Sequence, residues 1–281
     1  MKKLLIIICL MCTLLLCACS KEDIKEEIKE IVPDVITTTA IPTATVTFPE
    51  GFTAVQIAQK LEESSVCSAS EFLLLVNDKE FIQSLGYTFA AFAADADRPF
   101  ILEGYIFPDT YEFYLNDSAE NVLKKILTNT ASKLTGAYSV RAEELGYTLD
   151  EIITLASIIQ EEAYTNESMK LISSVLHNRL ESPDFPKLQC DVTIHYLNDY
   201  VLSSPYLFGD VEKYKDVYNA YKCDGLPEGA ICCPGTEAIE AALYPEDTKY
   251  YYFFTDKDWN YYYNETYSAH VKQARELGVI D

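Results

Sequence analysis

An α+β fold is predicted by three stretches of the sequence. Between Asp150 and Ala163, apolar residues recur at helical spacing, with Ile152, Leu155, Ile158 and Ile159 on one face. Towards the front, Val46–Thr53 reads as a strand breaking at Pro49-Glu50-Gly51 and leading into helical patterns. Towards the end, the runs Tyr250-Tyr251-Tyr252 and Tyr261-Tyr262-Tyr263 have the composition of half-buried strands. The chain has 21 tyrosines, and rings at that density can also stack on sugars, although half-buried strands are the plainer reading. A hydrophobic fraction of 49% over 281 residues supports a core, in one large domain or a main domain with a small one.

Taken in order, residues 1–19 read as an export signal. Met1-Lys2-Lys3 is followed by the apolar run Leu4–Leu16, short for a membrane span and suited to secretion. The run ends in Leu16-Cys17-Ala18-Cys19, which looks like a bacterial lipobox with lipidation at Cys19; two acyl chains there would hold the protein on the outer face of a membrane. An uncleaved anchor built from the same run is the alternative. Residues 20–45, charged and then rich in Thr and Pro, read as a tether. Twenty-two basic against 44 acidic residues give a net charge of −22, which argues against nucleic acid as a partner. Beyond the signal and Cys19, five cysteines remain: Cys67, Cys190, Cys223, Cys232 and Cys233. That odd number leaves at least one unpaired within the chain. Neither a metal site nor a cofactor is suggested by the Cys and His spacing.

Residues 46–98 form a small unit: the strand, a helix with Val55, Ala58 and Leu61 inward, and a second helix over Ser68–Asn77. Residues 99–281 then hold the features that carry chemistry. The stretch Leu149–Asp191 reads as a helix capped near Asp150, a polar turn, a second helix and a short loop. Glu162 follows Leu155 by seven residues and Ile159 by three, which places it on the apolar stripe, about 20° from Leu155. Gln160 faces away and Glu161 is intermediate. A carboxyl aimed at an apolar face has its pKa raised by desolvation, as a general acid requires. If the helix instead ends by Gln160, Glu162 is an ordinary solvated charge.

The motifs around Glu162 add to this reading. Leu155-Ala156-Ser157-Ile158-Ile159-Gln160-Glu161-Glu162-Ala163, Val175-Leu176-His177-Asn178-Arg179-Leu180 and Leu188-Gln189-Cys190-Asp191 resemble LASIIEKEA, VFxNRL and LQTDPT of the endolytic murein transglycosylases, the MltG/YceG-like family. Leu102–Phe113, Tyr218-Asn219-Ala220-Tyr221 and Gly225–Ile231 with Pro234-Gly235 resemble further family motifs in the same order. The resemblance implies a LysM-like module over 46–98, able to position glycans or merely to pack, and a YceG-like catalytic domain over 99–281. It implies Glu162 as the catalytic acid, with Asn178, Gln189, Asp191, Tyr218 and Asn219 as substrate-binding candidates. Asn178 can equally bond between helices, and Glu103 and Asp109 are expected to fix the turn around Phe107-Pro108.

The implied reaction cleaves the β-1,4 bond between N-acetylmuramic acid and N-acetylglucosamine within peptidoglycan strands, leaving a 1,6-anhydromuramyl end and limiting strand length beside the synthesis machinery. The chain departs from the pattern at Gln160, Cys190, Cys232 and Cys233, at Tyr261 where the family often carries His, and in its lipobox. Two rivals are a catalytically silent glycan-binding lipoprotein and the binding lipoprotein of a transporter.

Overall fold

Strand β1 (Thr43–Thr47) pairs antiparallel with β2 (Thr110–Tyr114), Val46 facing Tyr111 and Thr47 facing Thr110. Alternation explains the pairing: Val46, Tyr111 and Phe113 turn to the core, while Thr43, Thr47 and Glu112 stay outside and bond across the ladder. The computed structural model describes residues 41–89, 97–207 and 210–280. The signal, Cys19 and nearly all of the tether lie outside them. Among the described residues no helix is long and apolar enough to cross a membrane. All elements below lie in the compact unit Pro42–Asp281.

Two expectations shift here. The strand begins at Thr43, inside the stretch read as tether, because its partner β2 offers a matching ladder. That partner lies beyond residue 98, so the segment 46–98 does not close on itself. Between the two strands come α1 (Ala54–Glu63), α2 (Ala69–Val76) and the short α3 (Lys79–Ser84). A Thr53–Gln56 capping box starts α1, and Ala54, Val55, Ile57, Ala58 and Leu61 form its buried face. The buried Glu103 carboxylate reaches the same helix end, accepting from Ala54 N at 2.9 Å. Asp109 does fix its turn, accepting from Thr110 N and from the Asn129 amide.

After β2, α4 (Ala119–Lys133) packs on α2, and α5 (Gly136–Glu144) leads to α6 (Leu149–Glu162). Helix α6 is the core of the molecule. Its cap is Thr148, paired with Glu151 in a capping box, two residues before the expected Asp150. Asp150 sits in the first turn, held by both terminal nitrogens of Arg98 and by Tyr105 Oη at 2.6 Å. Residues 152–159 are all buried, so α6 is enclosed on every side rather than one-faced. It packs against α5, α7 (Asn166–Glu181), α8 (Val192–Tyr196) and α10 (Thr236–Leu243). A π-helical turn (Leu197–Leu202) and one-turn α9 (Tyr214–Val217) come between α8 and α10. The second tyrosine run and the end of the first lie in the hairpin of β3 (Tyr252–Thr255) and β4 (Tyr261–Asn264), with α11 (Tyr267–Glu276) against it; Tyr250 and Tyr251 precede the strand.

Candidate active site

Helix α6 leaves the core in its last turn, where Glu161 and Glu162 emerge into a cavity of about 360 Å³. Besides these two it is lined by Tyr164, Arg179, Gln189, Asp191, Tyr221, Phe253, Phe254, Thr255 and Trp259. The helix stops because Ala163 turns extended and Thr165, with Ser168, caps α7. Tyr261 seals the end: its hydroxyl donates to Glu162 O at 3.0 Å and accepts from Tyr164 N at 3.2 Å. The hairpin is thereby tied to the backbone of the candidate acid.

Glu162 is half-buried, and desolvation is the main reason its carboxyl is pushed up to about 7. The negative charge of Asp191 acts in the same direction, as does Glu161 more weakly. A hydrogen bond from the Cys190 thiol and the Arg179 charge act against them. The negative end of the α6 dipole also disfavours a carboxylate there. Near neutral pH the carboxyl is therefore divided between acid and base forms, the condition under which one group serves in both roles. Glu161 has its pKa raised by burial, opposed by the Cys232 thiol. Its Oε1 lies 2.7 Å from where a Cβ on Gly51 would stand, and the φ of +83° at Gly51 is one that favours glycine.

The opposite wall is the Leu188–Asp191 loop. Gln189 takes the left-handed conformation, φ +56°, and its N–H donates to Ala220 O, which brings the Gln189 and Asp191 side chains to the cavity. Asp191 Oδ1 accepts from Tyr221 Oη at 2.7 Å. Arg179, buried on α7, spans the two walls: Nε donates to Tyr251 O at 2.7 Å and Nη1 to Leu188 O. Its guanidinium lies over the Tyr252 and Phe185 rings.

The model of the YceG-like family matches residues 21–276. The chain belongs to the YceG-like family. Curated relatives include the endolytic murein transglycosylase of Streptococcus pneumoniae (strain D39), 30% identical over 83% of this chain and 44% of that protein. Another is the endolytic murein transglycosylase of Bacillus subtilis, 31% identical over 81% of this chain and 63% of that protein. The chain thus spans about half the length of the curated relatives it matches. A 2.6 Å crystal structure of a yceG-like protein from Listeria monocytogenes superposes with a TM-score of 0.69 at 28% identity, covering 91% of this chain and 81% of that one.

In this YceG-like chain the structure brings together Glu162, Gln189 and Asp191 of the expected residues. It does not bring Asn178, Tyr218 or Asn219 to the cavity. The Asn178 amide donates to Thr248 O and Tyr250 O and so anchors the chain entering β3; it bonds to a loop rather than to another helix. Tyr218 is fully buried, its ring against Tyr196 and Tyr214, so it is a core residue. Gly229 lies over it, where a Cβ would stand 2.8 Å from Tyr218 Oη. Asn219 accepts from Tyr221 N in a local turn, which aims Tyr221 at Asp191.

Gln160, facing away from Glu162 as expected, accepts from Gly235 N and locks α6 to the turn before α10. Arg179, Tyr164, Tyr221 and Trp259 line the cavity without having been singled out as site residues from the sequence. Tyr221 did fall within a family motif, but nothing in the sequence distinguishes it from Tyr218. The five cysteines Cys67, Cys190, Cys223, Cys232 and Cys233 are all free thiols.

Proposed function

We propose that this chain is an endolytic murein transglycosylase, cleaving the β-1,4 bond between N-acetylmuramic acid and N-acetylglucosamine inside peptidoglycan strands. One observation carries the reading: Glu162, at the last turn of the core helix, opens into the cavity with its carboxyl poised near 7. The named activity of the curated relatives supports it. The protonated Glu162 gives its proton to the leaving O4 as the C1–O4 bond breaks. The resulting carboxylate takes the proton of the muramyl C6 hydroxyl as O6 bonds to C1. The acid is regenerated, and no water is consumed. The negative charge of Asp191 favours the positive charge that develops at C1 and raises the Glu162 pKa. Gln189 and Asp191 are the substrate contacts, while Asn219 acts through Tyr221.

The segment 46–98, with its three helices between β1 and β2, is proposed to position glycan in the manner of a LysM module. Lipidation at Cys19 would hold the enzyme at the outer membrane face, near the synthesis machinery.

A second reading rests on Asp191 as well. Glu162 and Asp191 in one cavity also suit a hydrolase in which the second carboxyl group activates water or attacks C1. Mass analysis of products from purified glycan strands separates the two. Anhydro-ended fragments from the wild type, and a loss of rate of about 10³-fold in Glu162→Gln, are expected. Reducing ends would establish hydrolysis instead. Retained glycan binding without any cleavage would make the chain a silent binding protein.

A further inference from the structure

The rim of the cavity carries an aromatic pair that the reaction described above does not use. Trp259, in the turn between β3 and β4, is 63% exposed, and Tyr164, two residues after Glu162, is 67% exposed. Their rings meet edge to face at 4.9 Å and 73°, and both line the cavity that holds Glu162. Exposed large rings cost hydrophobic free energy, and here the backbone is strained as well: Trp259 has φ +62°, a conformation rare for a bulky residue. A dense polar turn over-determines it. Asp256 accepts from Asp258 N, from Asn260 N and Nδ2 and from Tyr262 Oη, while Trp259 N donates to Asp256 O. Such a turn holds the indole out over the cavity mouth instead of letting it fold away.

We propose that Trp259, backed by Tyr164, is a stacking platform for a pyranose ring of the glycan strand, flanking the sugars at Glu162. The proposal deepens the transglycosylase reading and rests on it for the glycan. The occupant follows from the surroundings. A sugar presents an apolar C–H face to an indole and hydroxyls to the polar groups around it, here Gln189, Asp191 and Thr255. A lipid surface is a poorer fit, because the turn bearing the indole also carries Asp256 and Asp258 and the chain as a whole is strongly acidic.

Trp259 is the sole tryptophan of the chain, so its emission reports on this spot alone. In the full chain carrying Glu162→Gln, titration with peptide-free glycan strands should change the emission saturably. In the chain with Glu162 intact, Trp259→Ala should raise KM by about 10-fold with kcat within about 3-fold, and Trp259→Phe should recover most of the loss. Emission unmoved at strand concentrations that saturate cleavage would overturn the platform. So would an unchanged KM in Trp259→Ala, or emission that responds to anionic vesicles and not to glycan. Failure of the transglycosylase reading looks different: reducing-end products, or no products, while the emission still saturates with glycan. In that case the platform stands as a binding site.

Discussion

At the residue scale, the position of Glu162 at the cavity was legible because two independent signals met on it: a place on the helical stripe and a motif. The carboxyl does sit where water is restricted, although α6 proves to be buried all round and the stripe is not its only apolar side. Tyr218 and Asn178 were not legible. A tyrosine's ring buries as readily as it stacks on a ligand, and an amide bonds a loop carbonyl as readily as a sugar. Only tertiary placement separates Tyr218, in the core, from Tyr221, three residues on and 43% exposed at the cavity.

The environment of Glu162 sets its pH behaviour. The rate should fall as pH rises through about 7, where the acid form is lost. Asp191→Asn removes a negative neighbour and makes the carboxylate easier to form. The alkaline limb of kcat/KM should then move to lower pH by about one unit. Cys190→Ala removes a hydrogen bond to the charged form and should move that limb to higher pH. Opposite shifts in the two pH–rate profiles are the check.

At the scale of elements, helix boundaries were readable where caps were unambiguous. Asp150 and Thr148 are both capping types, and the pattern Thr148-x-x-Glu151 decides for the threonine. Asp150 is thereby freed to bind Arg98, which also donates to Glu228 O at 2.8 Å. This pair pins the start of α6 to the segment before Phe100, far in sequence, and nothing local announces it. Arg98→Ala leaves a largely buried carboxylate without its partner and should cost about 3–5 kcal/mol of stability. Urea unfolding at neutral pH measures it.

For the molecule as a whole, the strand and helix content was readable, but the pairing of β1 with β2 was not, since they are separated by more than sixty residues. Short strands carry little partner information. The same long-range closure buries Glu103 beneath Ala54, Tyr196 and Cys233, and burial pushes its carboxyl up to about 7. Its folded pKa lies above the unfolded value, so the native state keeps a proton that the unfolded chain releases. The stability this provides is complete below about pH 4.5 and is lost as pH rises to about 7. Glu103→Gln should therefore gain on the wild type by on the order of 2–3 kcal/mol between pH 5 and pH 8. Urea titrations of both proteins at the two pH values test this.

Arg179 gives the cleft a property its acid lacks. It grips the carbonyl of Leu188 on one wall and that of Tyr251 on the other. A guanidinium keeps its charge throughout the range in which proteins stay folded. The spacing of the walls is thus set by a fixed cation, while the proposed turnover would be set by a titrating carboxyl. A rise in pH would throttle the proposed chemistry without loosening the walls of the cleft.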